Sequence, residues 1–312
     1  MRQGEWPGGK CDKILKESVG EVSWMELRVG LCSFKGLNRH QRTRVLLEPF
    51  SALEMGSSFY ALPSPEQVFR WAAELPKGFL LGVKALGLFT FHPVRPSSLP
   101  GWARPPGATE AVMRHMVHPK VRRALYRWFL ERLEPLRETG KLGYLLFQFH
   151  PSFEPSQEAL AYLAAVRDMS PSWPLAVEVR NDRWLSETWF APLTEALRDQ
   201  NAAFVGTDSP GSKDEILWPR TASWGVLARF HGRGGSPRSR RIPPPDVRGD
   251  YLYTPQDLRP WRERALLHGS QGGRVFLMFN NCVADKALKS ASLMASLLGL
   301  KDPDSRQQEL GI

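Results

Sequence analysis

Cysteine is scarce in this chain: its three residues, Cys11, Cys32 and Cys282, stand far apart with no CxxC spacing. An odd, scattered set makes neither a disulfide framework nor a zinc-binding spacing, and it suits a reducing compartment. Long apolar runs are missing too. The most apolar stretch, 79–91 (FLLGVKALGLFTF), is interrupted by Lys84 and is too short to span a bilayer. The first 24 residues are polar and glycine-rich, without the apolar core of a signal peptide. A cytoplasmic protein with no membrane partner is therefore expected. Residues 1–24 read as a disordered extension and 303–312 as a polar tail, with Met25 an alternative start to Met1. Nucleotide-fold fingerprints are absent: no GxGxxG follows the first strand-like run, and no GxxxxGKS or GxxxxGKT occurs. HExxH, HxH and GxSxG are absent as well, so neither a metal nor a nucleophilic triad is signposted.

Positive charge is what the chain has in excess. Its 42 Lys and Arg against 32 Asp and Glu give a formal charge of +10, which favours an anionic partner without bearing on the fold. Apolar residues make up 42%, with 11 Trp and 16 Phe among the aromatics, enough for a sizeable core.

Short apolar runs alternate with segments of helical period. Strands are expected at 27–32, 52–55, 79–84, 143–149, 175–179, 202–207, 225–230 and 274–280, several of them near-continuously apolar, as parallel strands covered on both faces are. Helices are expected between them. Ser64-Pro65-Glu66-Gln67 reads as a capping box, 119–134 has an apolar face opposite an arginine-rich one, and 156–168 and 186–199 repeat the pattern. Thr254-Pro255-Gln256-Asp257 opens a further helix, and 284–300 closes the chain. Eight strand–helix units over residues 25–302 predict a single-domain (β/α)₈ TIM-like barrel, with a doubly wound open sheet as the alternative. Two long connections, 92–107 after strand three and 232–250 after strand seven, would lie over the site-bearing face, as substrate-contacting loops or as disorder.

In such a barrel the chemistry sits where strands end. Those positions carry Glu54, Lys84, Gln148, His150, Glu178, Arg180, Asp208, Arg229, His231, Asn280 and Asn281. Glu54 and Glu178 are the candidate bases and His231 the candidate acid/base near neutral pH. Lys84, Gln148, Arg180, Asp208, Arg229, Asn280 and Asn281 are the candidate substrate contacts. Each has a plainer reading. Glu178 and Arg180, two apart on one strand face, also make a structural ion pair. Lys84 is also satisfied by a carboxylate such as Glu54. Asp208-Ser209-Pro210 also makes an Asx-type turn. Glu54, Glu178, Asp208 and His231 together offer four metal ligands, but without supporting spacing no metal or other cofactor is expected. The basic helix 119–134 and the arginines of 233–248 leave nucleic acid open as an alternative partner to a small anion. Cys32 reads as a small core residue.

These strings resemble the domain-of-unknown-function-72 family. Val29-Gly30 starts the match, followed by 53–64 (LEMGSSFYALPS), 81–85 (LGVKA), 141–153 (KLGYLLFQFHPSF) and 175–184 (LAVEVRNDRW). Asp208-Ser209-Pro210, 229–233 (RFHGR), Tyr251 with Tyr253, and Phe279-Asn280-Asn281 complete it in the same order. The resemblance implies a TIM barrel and a polar pocket, and no particular reaction. The chain departs from the family's pattern at Phe34, Gly56, Phe91, His150 and 282–286, which implies an altered pocket rim. The expected function is binding or transforming an anionic small molecule, phosphorylated ones included, by acid/base chemistry. A nucleic-acid-binding or phosphodiester-hydrolysing barrel and a non-catalytic ligand-binding member are the alternatives.

Overall fold

A computed structural model describes residues 26–35, 37–46, 49–210, 216–234, 247 and 249–300. The expected extension 1–24, the tail 303–312, the choice of start codon and the loop arginines Arg238, Arg240, Arg241 and Arg248 lie outside the described residues.

Eight parallel strands close into a barrel in chain order: β1 Glu26–Leu31, β2 Ala52–Met55, β3 Leu80–Lys84, β4 Leu142–Gln148, β5 Leu175–Glu178, β6 Ala203–Asp208, β7 Gly225–Phe230 and β8 Arg274–Phe279. β1 closes the ring on β8, with Gly30 beside Met278. Among the described residues seven helices cover it: α1 Arg39–Val45, α2 Pro65–Glu74, α3 Pro119–Glu138, α4 Gln157–Met169, α5 Glu187–Asp199, α6 Pro255–Ser270 and α7 Lys286–Leu297. Their starts follow local chemistry. Ser64 accepts from the Gln67 N–H ahead of α2, Ser156 from Ala159 ahead of α4, and Thr254 and Asp257 form a reciprocal capping box on α6. Among the described residues between β6 and β7 there is no helix. There buried Trp218 packs tilted against Trp261, edge-on to His268 and against Gly206, where even a Cβ would come within 2.7 Å of the indole.

Alternation along each strand divides the core in two. One set, including Leu53, Val83, Phe147, Val177, Phe230 and Phe279, packs outward against the helices. The other, including Ala52, Leu80, Tyr144, Leu146, Ala176, Val205, Leu227, Phe276 and Met278, fills the barrel interior. Gly82 is what lets Tyr144 cross that interior, because a Cβ there would sit 2.3 Å from the phenol ring.

The connection after β3 is ordered rather than disordered. Four 3-10 turns lie at 87–90, 96–98, 101–103 and 114–116, Val94 pairs with Val112, and Leu99 and Ala103 are buried. It packs down beside the barrel, and its first residues reach the mouth. After β7, Gly232 takes φ +83°, a turn that glycine adopts without strain, and its N–H donates to the Tyr253 hydroxyl. Among the described residues no helix is long and apolar enough to cross a membrane.

Candidate functional site

At the strand ends the inward-facing residues form one connected polar network. Its centre is Arg229, the penultimate residue of β7, which is fully buried. One guanidinium nitrogen donates to Glu178 (2.5 Å) and to the Gln148 amide oxygen (2.9 Å), and the other to Glu54 (2.7 Å). Burial opposes the charge on Arg229, yet Glu178 and Glu54 outweigh it and hold the group protonated. Tyr144 reaches up from the apolar layer below and donates to the other Glu54 oxygen at 3.1 Å.

Glu178 carries a second arginine. Its Oε1 is 2.5 Å from Arg180 Nε and 3.3 Å from His231 Nε2. Burial pushes this carboxyl upward, but Arg180, Arg229 and His231 together bring it well below its ordinary range. His231 is equally constrained. The Asn280 amide nitrogen lies 2.9 Å from Nδ1, while Nε2 faces the Arg180 guanidinium at 3.0 Å and the Glu178 carboxylate at 3.3 Å. Burial first, and then the Arg180 charge 3.0 Å from the ring, push its pKa down to about 3.

The candidate acid/base residues Glu54, Glu178 and His231 are brought together, and all three are buried. A carboxylate locked between arginines is a weak base, and a histidine that stays neutral down to about pH 3 is no acid at neutrality. Lys84, Gln148, Arg180 and Asn280 are the partly exposed members. Lys84 is not held by Glu54 as expected. Its ammonium reaches the Gln148 amide oxygen at 3.3 Å and lies 4.5 Å over the Phe59 ring. Burial and the Arg229 charge bring its pKa down to about 8.

Two further candidates face away from the mouth. Ala203 and Val205 of β6 point inward, so Asp208 points outward. There one oxygen accepts from Arg233 (2.9 Å) and Tyr253 (2.7 Å), and the other from Arg233 (2.6 Å) and Trp261 (3.1 Å). These bonds engage both carboxylate oxygens and tie the end of β6 to α6. Asn281 likewise turns away from Asn280, donating to the Tyr251 carbonyl and the Ser290 hydroxyl beside α7. Asp208's outward turn also breaks up the quartet considered for a metal. Among the described residues no group of three or more His, Cys, Asp or Glu is arranged to hold an ion. Cys32 is a buried free thiol, pushed well up by burial and by Glu54.

Residues that the strand-end inspection passed over complete the rim. His92, from the β3 connection, packs edge-on against Phe59 (4.8 Å between centroids) and His150 (5.0 Å), with Thr90 Oγ1 3.0 Å from its Nδ1. Burial, then the charges of His150 and Lys84, lower its pKa to about 4. His150 Nδ1 accepts the Ser152 N–H. Tyr144 and Gly82 had a detectable signal, since they share strand parity with Gln148 and Lys84. His92 and Phe59 had none, because loops bring them in.

The family whose profile matches residues 26–310 is described as "Protein of unknown function DUF72". The UPF0759 protein YunF of Bacillus subtilis (strain 168) is 26% identical over 264 residues, covering 81% of this chain and 84% of that protein. A DUF72 family protein from Enterococcus faecalis V583 superposes with a TM-score of 0.70 at 24% identity, covering 88% of this chain and 96% of that one. One from Thermotoga maritima MSB8 does so with a TM-score of 0.66 at 23% identity, covering 88% and 99%. These structures carry the barrel fold.

Proposed function

The chain belongs to the DUF72 family, and we propose that its barrel mouth binds a small organic anion, a phosphorylated or carboxylate metabolite, and transforms it by proton transfer. The observation that carries this reading is charge. Among the described residues three cations, Lys84, Arg180 and Arg229, meet at the mouth with two carboxylates, Glu54 and Glu178, and the two cations nearest the opening are partly exposed. An anion entering the mouth meets the Arg180 guanidinium and the Lys84 ammonium, with the Gln148 and Asn280 amides beside them to fix its orientation.

The roles differ from those suggested by residue type alone. Arg229 with its two glutamates forms a rigid platform under the ligand. His231 positions Arg180 and Asn280. Lys84 is the proton-transfer group, because its pKa of about 8 leaves both protonation states accessible near neutrality. The Phe59 ring under the ammonium and the rings of His92 and His150 beside it form a partly apolar wall for the rest of the molecule.

A thermal-shift screen of the whole chain against phosphorylated and carboxylate metabolites tests this. A ligand at about 100 times its Kd stabilises by roughly 2.7 kcal/mol. The expected result is a hit whose shift disappears in Arg180→Gln and Lys84→Gln. Turnover of that hit should show a limb near pH 8 that Lys84→Gln removes. A hit without turnover leaves a binding protein. Salt-sensitive binding of DNA or RNA with no small-molecule hit overturns the proposal in favour of a nucleic-acid partner.

A further inference from the structure

A second cationic site lies outside the barrel. A cavity of about 150 Å³ opens where the first two turns of α3, the second half of α4 and the β3–α3 connection meet. Phe89, Tyr126 and Met169 give it an apolar wall, and Arg114, Arg122 and Arg123 stand around it. Among the described residues none of the three arginines has a carboxylate partner. Arg114 is held instead between two rings, 4.7 Å from the Phe91 centroid and 4.6 Å from that of Tyr162. Arg122 donates to the main-chain carbonyls of Arg114 and Val117. Burial and the neighbouring charges of Arg114 and Arg123 all weigh against its own charge. The guanidiniums of Arg114 and Arg122 are thus fixed in place by aromatic faces and carbonyls, with Arg123 exposed beside them, and among the described residues no carboxylate offsets their mutual repulsion. Tyr126 adds a buried hydroxyl without a hydrogen-bond partner among the described residues.

We infer that this cavity binds a small organic anion with a single aromatic ring, an aryl carboxylate or aryl phosphate. Its size supports the ring: an apolar cavity of about 150 Å³ accommodates a benzene molecule. The aromatic wall suits edge-on or offset packing. The arginine group supplies bidentate donors for the carboxylate or phosphate. The site shares no side chain with the barrel mouth, so it stands whether or not the reading of the mouth does.

Calorimetric titration of the whole chain with phenyl phosphate tests the inference, with inorganic phosphate and benzyl alcohol as half-ligands. Phenyl phosphate should bind at least tenfold more tightly than either half-ligand, and Arg123→Gln, at an exposed rim position, should weaken it roughly five- to tenfold. Ala165 lines the cavity from the exposed side of α4. Ala165→Trp should therefore abolish binding while leaving the melting temperature unchanged, and Arg180→Gln should leave binding intact. Equal binding of benzyl alcohol overturns the anionic half of the inference, and equal binding of inorganic phosphate overturns the aromatic half. Loss of binding in Arg180→Gln with retention in Ala165→Trp moves the ligand to the barrel mouth. No heat at about 10 mM phenyl phosphate, a ligand too weak to matter, rejects the site altogether.

Discussion

Two polar clusters occupy the same end of this barrel, one inside the strands and one outside, and they are built from similar residues to opposite effect. The inner cluster places Arg229 between Glu54 and Glu178, with Arg180 and Lys84 toward the opening. The outer one places Arg233 between Asp208 and Asp257 and closes it with Tyr253, Trp261 and Tyr251. Among the described residues cations outnumber carboxylates inside, and carboxylates outnumber the cation outside. The inner cluster keeps partly exposed cations at its edge, whereas the Asp208 carboxylate is saturated. Being charged and at a strand end is therefore not enough to make a ligand-binding residue. The face of the strand and the neighbours that occupy the side chain decide.

The sharpest way to break this comparison is to remove each cluster's centre. Arg229→Met leaves two buried carboxylates without a counter-ion, which costs about 3–5 kcal/mol and should lower the melting temperature by about 10 °C at pH 7. Denaturant titration should show this loss shrinking in acid, where the freed carboxylates take up protons. Asp208→Asn keeps the shape of the outer anchor but loses its charge-assisted bonds, for about 1–3 kcal/mol by the same measurement. It should leave anion binding at the mouth unchanged, and weakened binding there would show that the two clusters are not separate.

Acid separates the clusters next. The folded-state pKa of His231 is depressed to about 3 and that of His92 to about 4, so between those values and about 6.5 the unfolded chain holds more protons. Stability should fall as pH drops through this window, by up to about 1.4 kcal/mol per pH unit for His231 and less for the more exposed His92. Glu178, also depressed, adds to the loss below its unfolded value. His231→Gln should flatten the slope between pH 6 and 4, and an unchanged slope would place the proton uptake elsewhere. The smallest effect on stability is expected from Arg180→Gln, which removes one partner of a carboxylate that retains Arg229. It should move the midpoint by less than Arg229→Met does while abolishing anion binding.

Much of the fold was legible in the sequence. Eight apolar runs, spaced by capped helices, placed every strand to within a residue, because periodicity and caps are local properties of the chain. The seat of Trp218 against Gly206, Trp261 and His268 was less visible, since packing rather than a local pattern makes it. The site was half legible. Strand parity would have pointed Asp208 and Asn281 outward, since Ala203, Val205 and Asn280 face in. Nothing local announced that His231 would be neutral or that Lys84 would rest on Phe59.

By itself the sequence determined the alternation of strands and helices, the excess of positive charge, and which residue types stand where the strands end. Only the tertiary structure decided their chemistry. Closure brings Glu54 to Arg229 across 175 residues, and Glu178 to the same side chain across 51. Burial then removes the water that would otherwise set the protonation of each group. A residue's acidity and openness depend on who stands opposite it in a closed ring, and that is fixed by contacts no local pattern contains.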